Sequence, residues 1–251
     1  MMRKRQLLHW VMALAVVGAL AGCSDNNNPA GPGDGGNGDQ PPEFTLQQVS
    51  VPDAMRQSND PYAIVTVSYV GLANSFSSWF GYFTPPSSAK IARPTGTQDG
   101  PPWVYTYSQG GVSVTLTIDE EGDHYTWDVV ANGNDGETTY DNFHYLHGER
   151  AMDESNGSIV LNDPESLSTA AEWEWSLSSS NVYSFLMTAY DVTEDLQIDL
   201  VANPDQSGQL EYRTGTNNEY VPEFGSQWQS SGAGTWQEYS DGEVVDSGSW
   251  E

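Results

Sequence analysis

Histidine, carboxylate and serine are the side chains through which this 251-residue chain would do acid–base, metal or nucleophilic chemistry. Beyond the leading apolar segment the histidines are His124, His144 and His147. On a regular strand their spacing sends His144 and His147 to opposite faces, so they would not chelate one ion. A zinc site would also need a third and a fourth ligand at workable spacing. Asp246-Ser247-Gly248 has the composition of a serine-protease nucleophile segment, but it lacks the flanking glycine pattern and falls in a hairpin strand. There is no Gly-x-Ser-x-Gly elbow, phosphate-binding loop or dinucleotide fingerprint.

Glu172 and Glu174 form the paired-carboxylate candidate. The period of a strand puts both on one face, with Trp173 and Trp175 on the other. Glycoside hydrolysis employs two carboxylates beside aromatic platforms. Acids and indoles that face opposite ways suit glutamates in water and tryptophans in a core better than a sugar cleft. No catalytic residue, metal ligand or cofactor is therefore assigned. Asn132-Gly133-Asn134-Asp135-Gly136-Glu137 and Asp119-Glu120-Glu121-Gly122-Asp123 offer the oxygen ligands Ca²⁺ takes, without EF-hand spacing. Both read first as turns, and a weakly held divalent cation is the one ionic partner they suggest.

The only cysteine, Cys23, has chemistry of another kind. Arg3, Lys4 and Arg5 precede an apolar run from Val11 to Leu20. A bilayer span needs about 20 apolar residues, and this run has instead the length and flanks of a signal-peptide core. Leu20-Ala21-Gly22-Cys23 follows, and it resembles the lipobox of bacterial lipoproteins. The resemblance covers the first 23 residues and rests on the sole cysteine standing where the motif requires it. It implies that the Cys23 thiol is diacylglycerated, that cleavage removes residues 1–22, and that the new amine is acylated. In enterobacterial lipoproteins an Asp directly after the cysteine retains the protein in the inner membrane. Ser24 stands there, which implies an outer-membrane address.

Loss of residues 1–22 removes three of the eight basic residues and no acidic one, so the net charge of −27 becomes −30. Such a surface repels itself and an anionic membrane. It argues against nucleic-acid partners, which need Lys and Arg on phosphates, and against docking on anionic headgroups. The membrane partner is then reached through the lipid anchor. Residues 24–42, SDNNNPAGPGDGGNGDQPP, contain one alanine and no larger apolar side chain. They read as a flexible tether with a mean reach of about 25 Å. The division is thus signal peptide 1–22, lipidated cysteine and tether 23–42, and a single β-rich domain 43–251.

Within that domain Asp60-Pro61 reads as an N-cap followed by the first helical position. The absence of turn signals predicts a helix over 61–80, with Ile64 and Val67 toward the sheet and Thr66 on another side. Residues 85–101 read as loop. Alternating segments separated by turn residues then follow from Trp103 to Trp250. Val112, Val114, Leu116 and Ile118 point one way, while Ser113, Thr115 and Thr117 point the other. The pattern predicts a mainly β fold: an antiparallel meander of about ten to twelve strands curled into a barrel or half-barrel, with one N-terminal helix packed on it. This is similar in architecture to the half-barrel carriers of lipids and lipoproteins in bacterial envelopes, a likeness that implies no residue roles.

Ser231-Gly232-Ala233-Gly234-Thr235-Trp236 echoes Ser247-Gly248-Ser249-Trp250, which reads as glycine making room for an indole on a neighbouring strand. No sustained repeat period is evident. Trp103, Trp127, Trp173, Trp175, Trp228, Trp236 and Trp250 fall on expected strands and Trp79 on the expected helix. Most are assigned to the core. The leading functional expectation is a non-enzymatic, lipid-anchored envelope protein that binds or carries an apolar ligand. The alternatives are a carbohydrate-contacting or adhesive surface module, and a carboxylate-dependent hydrolase.

Overall fold

Short turns leave each strand to pair with its successor, and in the computed structural model of the protein every strand does so. The structure describes residues 41–251 except 45, 76–82, 87–88, 92–99 and 192. The expected signal peptide, Cys23, the tether as far as residue 40, Trp79 and the last part of the expected helix lie outside the described residues. The strands are β1 (Lys90–Ile91), β2 (Trp103–Gln109), β3 (Val112–Glu121), β4 (His124–Asn134), β5 (Thr139–Ala151), β6 (Asn156–Asn162) and β7 (Thr169–Leu177). They continue with β8 (Tyr183–Ala189), β9 (Asp195–Ala202), β10 (Gly208–Thr216), β11 (Glu219–Trp228), β12 (Gly234–Ser240) and β13 (Glu243–Trp250). They form one antiparallel sheet in strict chain order from β1 to β13, open among the described residues because its first and last strands are not paired to each other. The expected mainly β meander is therefore what is seen. One correction is β1, which interrupts the expected 85–101 loop by pairing Lys90 and Ile91 with Thr106 and Tyr105.

Among the described residues two helices precede the sheet: α1 (Asp53–Arg56), which the sequence pattern did not suggest, and α2 (Pro61–Ser75). Asp60 caps α2, its Oδ1 accepting the backbone N–H groups of Tyr62 at 2.9 Å and Ala63 at 3.3 Å. The buried stripe of α2 is Ala63, Thr66, Val70 and Ala73, at helical spacing. The expected facing of the helix is thereby corrected for two residues, Ile64 being half exposed and Thr66 wholly buried, while Val67 is half-buried and packs against the core as expected. Small side chains let the helix lie close, and the Thr66 hydroxyl donates to the Tyr62 carbonyl at 2.9 Å, so its polar atom is satisfied inside the helix. Tyr62 stacks on Trp236 with ring centroids 3.4 Å apart, and Tyr69 on Tyr212 at 5.0 Å, fastening the helix across β10 and β12. The Asn74 amide clips the preceding extended segment, donating to the Val49 carbonyl and accepting the Val49 N–H, both at 2.8 Å.

The core-facing side chains form rows that cross the strands. One runs Leu177, Tyr183, Ala202, Gly208, Trp228, Gly234, Trp250 from β7 to β13. A second runs Arg150, Gly157, Trp175, Phe185, Leu200, Leu210, Ser226, Trp236, Gly248 from β5 to β13. A third includes Ile118, Trp127, Gly148, Ile159 and Trp173. In each, an indole stands beside a glycine. A Cβ at Gly208 would come within 2.5 Å of the Trp228 ring and one at Gly248 within 2.8 Å of Trp236. At Gly157 and Gly234 it would collide with Trp175 and Trp250. At Gly148 the vacated space holds Phe83 and Phe44, 2.8 and 3.0 Å from where a Cβ would sit. The serine-glycine-tryptophan echo is thus one instance of a general packing rule. A structural repeat that the sequence conceals is also present: Tyr183, Gly208 and Gly234 open the first strands of three successive hairpins and share one row, 25 and 26 residues apart.

Two stability outcomes follow. Gly234→Ala should destabilise by about 1–3 kcal/mol through overpacking, whereas Gly71→Ala, with no atom near its would-be Cβ, should stabilise α2 by about 0.5–1 kcal/mol. Urea unfolding monitored by indole fluorescence reads both. Thr66→Asp should cost several kcal/mol, because it buries a charge without a partner. Ile64→Asp, on the exposed side, should change the midpoint little.

Candidate functional site

The core rows of β9–β13 leave the alternate residues of the same strands on the opposite, solvent face. One row there is Val201, Gln209, Gln227, Thr235, Ser249. Its neighbour is Asp199, Glu211, Gly225, Gln237, Ser247. Together they line two adjoining grooves of about 630 and 590 Å³ that share Gln209, Gln227, Thr235 and Ser249. Register shifts at Tyr212/Arg213 and at Glu238/Tyr239 lie toward one end of the larger groove. Bulges of this kind bend a strand and increase its twist.

The polar groups in the larger groove are held in place. Arg213 Nη1 donates to Gln197 Oε1 at 2.8 Å, Nη2 stands 3.5 Å from Asp199 Oδ2, and Nε donates to Glu211 Oε1. Gln197 Nε2 in turn donates to Thr188 Oγ1 at 3.3 Å. Tyr239 Oη donates to Gln237 Oε1 at 2.8 Å, and its ring lies over Gly225, where a Cβ would be 3.5 Å from Tyr239 Cε2. The surface thus presents amides, hydroxyls, one phenol ring and a charge cluster in which two carboxylates share one guanidinium.

The residues singled out by chemistry fare differently. Glu172 and Glu174 do share a face, with Trp173 and Trp175 buried behind them. Glu172 accepts a hydrogen bond from Tyr190 Oη at 3.0 Å, and burial together with this carboxylate pushes the Tyr190 phenol up to about 12. Ser247 is outward on β13, in the groove wall. The opposed-face expectation for His144 and His147 is corrected by a bulge in β5. Leu146 pairs with Val129 but His144 with Val130, so Tyr145 is the extra residue and both histidines fall on the solvent face. His147 lies between two acids, Nδ1 at 2.8 Å from Asp128 Oδ1 and Nε2 at 3.1 Å from Glu149 Oε1.

The two oxygen-rich segments are the ends of β3 and β4 running into the turns that follow them. Asp135 Oδ1 accepts the N–H groups of Glu137 and Thr138 at 2.9 and 2.8 Å, and Oδ2 accepts from Tyr140 Oη at 3.1 Å. The two backbone donors hold its carboxyl below the usual range. Asp119 Oδ1 accepts the N–H of Glu120 at 2.8 Å. Among the described residues no group of three or more His, Cys, Asp or Glu is arranged to hold a metal ion. All seven strand tryptophans are buried, so none is an exposed stacking platform.

The groove residues were not singled out as a set by motif or spacing. A signal was nonetheless present: in so acidic a chain, the uncharged Gln209, Gln227, Thr235, Gln237, Ser247 and Ser249 outnumber the carboxylates Asp199 and Glu211 in these outward rows. Compared with known proteins, the chain matches no family model and no curated protein.

The His147 pair gives a pH prediction. Hydrogen bonding to Asp128 is the largest influence and, against the opposing effect of burial, raises the imidazole to about 9 in the folded state. A raised histidine stabilises fully below its unfolded value of about 6.5, and that contribution disappears as pH rises through the folded value. The ring resonances of His147 should therefore titrate near 9, and Asp128→Asn should move the transition down toward 6.5. Half exposure keeps the stability gain small.

Proposed function

We propose that the protein is a non-enzymatic envelope lipoprotein, acylated at Cys23, whose β domain stands off an outer membrane on the 24–42 tether and presents the β9–β13 groove as a binding surface. The observation that carries the anchored reading is the lipobox, completed by the only cysteine in the chain. Among the described residues no helix is long and apolar enough to cross a membrane, so the lipid is the attachment this reading relies on.

Of the ligand classes weighed from the sequence, the polar one has the better support. An apolar carrier would need room between helix and sheet. On that side Met55, Ala63, Thr66, Val70, Phe44 and Phe83 are buried against the sheet tryptophans. The grooves described above lie on the other face and are lined with amides and hydroxyls. For the hydrolase reading two acids must flank a bond, whereas Glu172 and Glu174 lie in line along one strand.

Mass spectrometry of the membrane fraction should find a diacylglyceryl-modified Cys23 as the first residue of the mature chain. Cys23→Ala should leave uncleaved precursor. A soluble mature protein that begins at another residue would overturn the anchored reading.

A further inference from the structure

We propose that the larger groove, across β9–β13, is a binding site for a neutral, hydroxyl-rich glycan. This rests on reading the domain as a binding module and names the class of its ligand. Sugar hydroxyls donate and accept at once, and so do carboxamides and hydroxyls. Gln209, Gln227 and Gln237 supply the first, and Thr235, Ser247 and Ser249 the second. Its volume of about 630 Å³ falls in the range of small-ligand sites, about 300–1,000 Å³.

Two features make the groove more than a wet sheet face. Tyr239 is fixed by its bond to Gln237 and lies over a glycine, which leaves a flat aromatic patch beside the amides. The carboxylates Asp199 and Glu211 are oriented by Arg213, itself held by Gln197. Ordered acceptors of this kind bind vicinal hydroxyls without first losing side-chain freedom. Charge sets the sign of the ligand. A chain of net charge −27 repels anions, and the guanidinium that would attract one is already shared by two acids. A cation would find unshared carboxylates over most of the remaining surface, whereas both acids of this groove sit against Arg213.

The test uses the full lipoprotein in a detergent without sugar headgroups, applied to an array of neutral, uronic-acid or sulfated, and cationic saccharides. Neutral glycans should bind, and Tyr239→Ala and Gln237→Ala should each weaken binding about tenfold or more, the equivalent of one lost well-made contact. Glu174→Gln, on the same face but outside the groove, should leave binding unchanged. Because substitutions can unsettle a sheet, backbone amide shifts of the unaltered protein are also followed during glycan titration. Shifts centred on Gln227, Gln237 and Tyr239 support the site, and shifts centred on β3–β7 overturn it. Preference for anionic or cationic saccharides overturns the assigned ligand class. If no saccharide binds but the protein still captures isolated envelope material, the glycan proposal fails while the binding-module reading stands. If it captures neither, both fail.

Discussion

Five of the seven strand tryptophans, Trp127, Trp175, Trp228, Trp236 and Trp250, stand beside a glycine on a neighbouring strand, and the packing of the sheet core depends on these pairings. Neighbouring strands lie about 4.8 Å apart, too close for bulky side chains in every position of a row. Room is made beside the indoles: Trp228 and Trp250 flank Gly234, and Trp175 covers Gly157. In the β8–β9 hairpin, which has no tryptophan, the order is reversed, with Tyr183 the large residue and Ala202 the small one opposite it. The pairing also ties turns to the core, because Trp228 Nε1 donates to the Gln206 carbonyl and Trp250 Nε1 to the Gly232 carbonyl, each at 2.7 Å. Large apolar side chains thus bury their area while their polar atoms fasten the preceding hairpin.

The segments before the sheet complete that core. Phe44 meets Trp127 edge to face at 4.7 Å and Phe83 at 4.5 Å, over the space left by Gly148. Arg150 is buried beside them, its guanidinium 5.6 Å from the Trp127 ring and its Nη1 3.2 Å from Glu154 Oε1. A buried cation is tolerable where an aromatic face and a carboxylate both compensate it. The helix adds its small-residue stripe and two stacked tyrosines. With one face of the sheet occupied in this way, the other is turned to solvent. There the last strands carry mainly uncharged polar groups beside the Asp199–Arg213–Glu211 cluster, and the earlier strands carry acids and histidine.

Much of this architecture was legible in the sequence because it is local. Period-two alternation and turn residues such as Asp241-Gly242, both at positive φ, delimit strands without reference to distant residues. Asp60-Pro61 marks the helix start for the same reason. The facing of α2 was only partly legible: Ile64 is more apolar than Thr66, yet the close approach of helix to sheet selects small residues, a condition set by the partner surface. The bulge at Tyr145, which brings His144 and His147 to one face, is likewise invisible to strand periodicity, since it exists only in the pairing of β5 with β4.

The solvent face of β9–β13 shows the same division. By itself the sequence determined the strand content, the capped helix, the acidic balance and a lipobox-like leader, all properties of neighbouring residues or of composition. Only the tertiary structure decided which glycine lies beneath which indole, and that Gln209, Gln227 and Thr235 stand in one row although they come from three strands. It also brought Arg213 to Gln197 and Asp199, and laid Tyr239 over Gly225. Those relations arise from register, and register is fixed when the whole core packs rather than within any one segment.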